Sequence, residues 1–165
     1  VTQSEPYTLT FGKHRGKTLE WLFFNDPGYV WWLEEQFHDK PGIFPPLVRR
    51  QFKHLLQLAS NLRVPGLCAI CGQARVEKMV LQSDRDGRLI DVEFTCSGCA
   101  PASGPQTAVG RPGFRTPDLF HEYDKAGGKR LVAAIKQAFF GSSSHRMTDE
   151  RIQAFFAEIG NFSEP

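Results

Sequence analysis

CAICGQARVEKMVLQSDRDGRLIDVEFTCSGC, residues 68–99, decides the fold. Two C-x-x-C pairs, Cys68 with Cys71 and Cys96 with Cys99, close its ends with 24 residues between them. Two residues between thiolates let both sulfurs turn onto one ion, and Gly72 and Gly98 permit the tight backbone this requires. Ile90, Val92 and Phe94 alternate with Asp91, Glu93 and Thr95, which reads as a half-buried strand. Asp84-Arg85-Asp86-Gly87 supplies the hairpin turn before it. The stretch predicts two strands that carry both knuckles to one point. That is a zinc ribbon, with four sulfurs closing the shell of a structural Zn2+. Redox-active pairs or free thiols are the alternative, but a redox C-x-x-C sits at the start of a helix after a strand. A catalytic zinc needs an open position and usually His or carboxylate ligands.

The charge around this hairpin narrows its role. Residues 65–104 hold four Lys/Arg and five Asp/Glu, a net −1. Four thiolates on a divalent ion would add a further −2. Residues 1–64 carry +2, residues 105–141 carry +3 and residues 142–165 carry −2. Phosphate-binding capacity is therefore expected beside the hairpin and not on it. These are also the expected units: a helical module over 1–64, the ribbon over 65–104, and a linker with C-terminal helices over 105–165. The whole reads as α+β.

Working toward the N-terminus, Pro45-Pro46 opens a helix to about Leu62, with Val48, Phe52, Leu55, Leu56, Ala59 and Leu62 as its apolar stripe. Before it, Asp26 as N-cap and Pro27 at the first turn open a helix with Tyr29, Trp32, Leu33, Gln36 and Phe37 inward. Trp31 falls off that face, either as a surface on which a base stacks or as a partly covered tryptophan at a subdomain contact. Thr18 caps a short helix through Phe24, and Tyr7, Leu9 and Phe11 alternate as a short strand. On the other side, residues 101–117 are rich in Pro and Gly and read as a loop. A helix is expected from about Gly128 to Phe140. Thr148 or Asp149 then caps a last one with Ile152, Phe155, Phe156 and Ile159 inward.

The segment Leu9-Thr-Phe-Gly-Lys-His-Arg-Gly-Lys-Thr-Leu-Glu20 joins four basic residues to two glycines, and Asp26-Pro-Gly-Tyr-Val-Trp-Trp-Leu33 follows. It resembles the small domain at the C-terminus of bacterial exodeoxyribonuclease X-like proteins. It is also similar to a stand-alone bacterial family described as quorum-sensing-regulated virulence factors. Phe11, Gly12, Lys13, Gly16 and Lys17 match the shared Phe-Gly-Lys-x-x-Gly-Lys turn; Asp26, Pro27, Tyr29, Trp32 and Leu33 match the helix after it. The likeness covers residues 7–37. It implies an accessory module of DNA-processing proteins that touches nucleic acid, DNA before RNA, alongside other subunits. It does not carry over exonuclease activity, and the ribbon departs from the small family domain.

Three basic clusters are the candidate nucleic-acid contacts. Lys13, His14, Arg15 and Lys17 form the glycine-bounded turn. Arg49, Arg50 and Lys53 form a helix surface, and Lys129 and Arg130 follow Gly127-Gly128, where a helix N-terminus would receive a phosphate. Asp84, Asp86, Asp91 and Glu93 are the acidic set to consider for a metal-dependent nuclease, but no recognisable nuclease pattern includes them. A noncatalytic binding module is the first reading, and a protein-interaction adaptor the second. No apolar run is long enough for a bilayer, and Val1–Pro6 shows no export pattern, so an intracellular location and no membrane partner are expected.

Overall fold

The computed structural model describes residues 5–40, 42, 44–114 and 125–163. Helices α1 (Leu19–Asn25), α2 (Pro27–Asp39) and α3 (Pro46–Ala59) come first. Strands β1 (Lys78–Ser83), β2 (Leu89–Thr95) and β3 (Thr107–Gly110) follow, then α4 (Lys125–Phe140), α5 (Asp149–Ala157) and a 3-10 turn at Ile159–Asn161. The α+β class is as expected. The sheet order is β2-β1-β3, antiparallel throughout.

The caps explain the helix starts. The Thr18 hydroxyl accepts from the Trp21 N–H at 3.2 Å to start α1, and the Asp26 carboxylate accepts from Tyr29 N–H at 3.1 Å to start α2. Thr148 does the same for α5 through Arg151 N–H. Helix α4 covers β2 and also packs on α1 and α2. One buried cluster runs from Leu9 through Leu22, Leu33, Val48 and Phe52 to Met79, Leu81, Phe114, Leu131 and Ile152. It draws on all three segments expected from the charge pattern.

Several sequence expectations need correction. The 101–117 segment is not all loop: Thr107–Gly110 pairs with β1, placing Val109 opposite Val80. Its last residues lie outside the described part. The Tyr7–Phe11 strand is reduced to one bridge, Thr8 to Thr18, because the glycine-bounded turn closes directly onto it. Helix α3 ends at Ala59, although Leu62 is still buried, bridged to Phe162. Ile159 is not inward: α5 stops at Ala157, and Ile159 stands exposed in the 3-10 turn. Ile90 is likewise exposed, beside the head of α4, where Arg130 donates to its carbonyl at 3.3 Å.

Of the two α2 tryptophans, Trp32 departs from the inward placement expected of it, and Trp31 takes the partly covered one of its two alternatives. Trp31 is half-buried against the core, whereas Trp32 is 42% exposed. The buried stripe runs through Val30, Leu33 and Phe37 because α1 and α4 both press on that side.

Glu20 is a buried carboxylate on α1, and its Oε2 has no hydrogen-bond partner among the described residues. Burial raises its pKa above the ordinary value. The hydrogen bonds of its own N–H, Gln153 and Thr18 oppose this without cancelling it. A raised folded-state pKa favours the protonated native form. That contribution is therefore full below the unfolded pKa and lost as pH rises through the folded one. Glu20→Gln is expected to stabilise the protein at pH 7 by about 1 kcal/mol, with the gain vanishing near pH 4. Thermal unfolding of both proteins across pH 4–8 measures it, and equal melting curves at pH 7 would refute the burial cost.

Candidate metal centre and basic surfaces

The metal centre is built by the backbone around each cysteine. Cys68 N–H donates to the Ala74 carbonyl at 2.7 Å, and Gly72 N–H returns to the Cys68 carbonyl at 2.9 Å. Gly72 takes φ +64°, a left-handed conformation that lets the chain double back here at little cost. In the second knuckle, Cys99 and Ala100 N–H both donate to the Cys96 carbonyl. The two knuckles are tied together by Ala69 N–H to Phe94 C=O at 3.0 Å. Glu77, just before β1, accepts from Ser97 N–H at 3.3 Å and from its hydroxyl at 2.5 Å. Those two bonds hold the Glu77 carboxyl below its ordinary pKa.

The result is four sulfurs all within 4.8 Å of one another, from Cys68, Cys71, Cys96 and Cys99. None is in a disulfide. A tetrahedron of 2.3 Å metal–sulfur bonds sets its sulfurs about 3.8 Å apart, so the cluster fits one ion. The thiols also divide electrically. Backbone N–H groups, that of Cys71 first, lower the Cys68 thiol to about 6, and Cys71 is lowered by the Ala74 and Gln73 N–H groups. Cys99 is pushed up to about 12, chiefly by its hydrogen bond with Cys96. Among the described residues this is the one group of three or more metal-ligating side chains. Asp84 is occupied in the hairpin turn, accepting from Asp86 and Arg88 N–H at 2.9 Å each.

The first basic cluster is largely engaged by partners of its own chain, although Lys13 and Arg15 stay exposed. Lys13 reaches Asp26 at 2.6 Å, and His14 Nε2 meets the same oxygen at 2.8 Å. His14 is wedged between Trp21 and Tyr29, with ring centroids 5.2 and 4.9 Å away. Arg15 donates to the Thr10 carbonyl at 2.7 Å, and Lys17 pairs with Asp149 at 3.6 Å. Asp26 thus caps α2 and gathers the Lys13 ammonium and the His14 imidazole. Burial acts to raise its pKa, but Lys13 and His14 outweigh that and hold it below the ordinary carboxylate range. The sequence gives Asp26 as a cap but no signal for this second role, because its partners lie on a turn a dozen residues away.

The head of α4 packs on Pro27, at the start of α2. Pro27 sits where a side chain at Gly128 would be, its Cγ 3.0 Å from that position. Gly127 and Gly128 are therefore buried inside the helix as packing residues, and the expected phosphate-receiving N-terminus does not fall on them. Lys129 and Arg130 remain exposed. Trp32 stacks on Tyr29 at 4.9 Å and 25° between planes, and the Lys13 ammonium lies 5.1 Å from the same tyrosine ring.

Arg49, Arg50 and Lys53 lie elsewhere. They line a groove of about 480 Å3 between α2 and α3, together with Glu34, Phe37 and Leu56. At 100° per residue, Trp32 is roughly 160° around α2 from Glu34, so the groove and the Tyr29–Trp32 stack occupy different sides of that helix. No described helix is long and apolar enough to cross a membrane. Comparison with family models, curated proteins and solved structures finds no match for this chain.

Proposed function

We propose that the chain is a zinc-stabilised, noncatalytic nucleic-acid-binding module, DNA being the preferred ligand, that works within a DNA-processing assembly. The cysteine cluster holds Zn2+ as a structural ion, because four thiolates leave no open position for chemistry. One observation carries the binding reading: an exposed tryptophan stacked on Tyr29 stands beside the lysine-bearing turn, whose Lys13 ammonium lies over the same ring. An exposed indole among cations is how proteins hold single strands, with bases on the ring and phosphates on the cations. The resemblance of residues 7–37 to accessory modules of DNA-processing proteins supports the same reading. The structure shifts the emphasis within the turn, since Lys13 and His14 serve Asp26 and Lys17 serves Asp149. Trp32, Lys129 and Arg130 become the residues to test.

A 20-nucleotide thymidine strand is expected to bind with an affinity that falls steeply between 50 and 200 mM salt. Trp32→Ala should weaken binding about tenfold through lost stacking. Lys129→Glu combined with Arg130→Glu should weaken it further and flatten the salt slope by about 1.4. Fluorescence anisotropy reads all three. Absence of binding at 50 mM salt, or affinities untouched by both variants, would reject the reading.

A further inference from the structure

The α2–α3 groove has the wrong floor for a nucleobase. Phe37 and Phe52 line it, yet they are only 9% and 2% exposed. Their rings are turned to one another at 4.7 Å, and Phe37 also meets Phe44 at 4.2 Å. Stacking a base needs an open ring face. What the floor offers instead is the partly exposed Leu56 with Pro46, an apolar footing for aliphatic or aromatic anchors. Above it stand Arg49, Arg50 and Lys53, against one carboxylate, Glu34, so three positive and one negative group leave the rim at +2. Arg50 and Lys53 are exposed and have no ion-pair partner among the described residues.

We propose that this groove docks an acidic segment of a partner protein, one that seats apolar side chains on the floor and carboxylates against Arg50 and Lys53. An apolar trough between two helices with a cationic rim selects for that pattern. The rim speeds encounter and selects charge, while the floor supplies the retained contact. The proposal stands independently of nucleic-acid binding, because the groove lies on a different side of α2 from Trp32. Both surfaces can be filled at once, which is what a module linking a strand to an assembly needs.

The test is selection of a displayed library of random 12-residue peptides on the full 165-residue chain. Counter-selection uses the Arg50→Glu, Lys53→Glu double variant, whose two changes fall on exposed helix positions and leave the core intact. Enriched peptides are expected to be net acidic with apolar residues three or four apart. Synthesised copies should bind the double variant at least about tenfold more weakly. Leu56→Gln should weaken them as well, while circular dichroism shows the helices retained. No enrichment over the counter-selection, a consensus without acidic bias, or equal binding to the double variant overturns the proposal. So does loss of thymidine-strand binding in the double variant without loss of peptide binding, which would return the groove to the nucleic-acid surface. Failure of the Trp32 experiment leaves each of these outcomes readable.

Discussion

Replacing Cys96 with serine, or stripping the metal with a strong chelator, is expected to melt the knuckles and lower the melting temperature by about 10 °C or more. The reason is how little else holds them. Residues 69–75 are all exposed, and Leu67 and Ile70 turn more than half their surface to water. The first knuckle therefore has almost no apolar burial to offset its ordering entropy. Structural zinc contributes about 10–16 kcal/mol of binding free energy in isolated finger peptides, so its loss exceeds what the knuckle hydrogen bonds can replace. Melting should stop short of the helices. Met79 and Leu81 of β1 are fully buried in the main cluster, which stays anchored from the helical side. Hydrogen exchange should show lost protection over residues 66–77 and 94–100, with α1, α2 and α3 protected. Metal analysis of the untreated protein should give one zinc per chain. A chain without bound metal, one carrying iron, or a Cys96→Ser protein that melts like the parent would each defeat the structural-zinc reading.

This pattern of support shows why some of the fold is legible in the sequence. The knuckles are local in their logic: spacing alone lets Cys68 and Cys71, or Cys96 and Cys99, turn their sulfurs to one point, and local turn residues close the hairpin. The caps at Thr18, Asp26 and Thr148 are equally local. Strand β3 is not local. Thr107–Gly110 is four residues among prolines and glycines, and only pairing with β1, 25 or more residues earlier, makes it a strand. The α2 tryptophans fail for a related reason. Periodicity identifies an apolar stripe but not its edges, and which of Trp31 and Trp32 is covered depends on where α1 and α4 land. The basic turn is the sharpest case. Its composition advertises cations to solvent, and nothing in residues 12–17 says that Asp26 and Asp149 will claim them. The groove was invisible because its two walls belong to separate helices whose angle no local pattern sets.

If the turn is an internal lock of this kind, its glycines should be unequal. Gly12 and Gly16 both have positive φ, +69° and +84°, so alanine at either position takes on backbone strain of about 1–2 kcal/mol. Only Gly12 is also crowded. A side chain there would meet the Tyr29 hydroxyl, 2.1 Å from the added carbon, whereas Gly16 faces open space. Tyr29 cannot swing aside cheaply, since Trp32 stacks on its ring and His14 meets it edge to face. Gly12→Ala is therefore expected to cost about 2–4 kcal/mol and Gly16→Ala about 1–2. The hydroxyl itself contributes little: it is buried, has no partner among the described residues, and burial holds its pKa above the ordinary tyrosine value. Tyr29→Phe should thus be close to neutral alone, and should recover about 1 kcal/mol or more when combined with Gly12→Ala, because it removes the nearest clashing atom. Urea unfolding of the four variants yields the coupling directly. Equal losses at the two glycines, or no recovery in the double variant, would mean that the turn does not pack on Tyr29. Recovery would mean that the Phe-Gly-Lys turn owes its glycine to the tyrosine of the following helix, so that the two halves of the motif are one packing unit with Asp26 as its clasp.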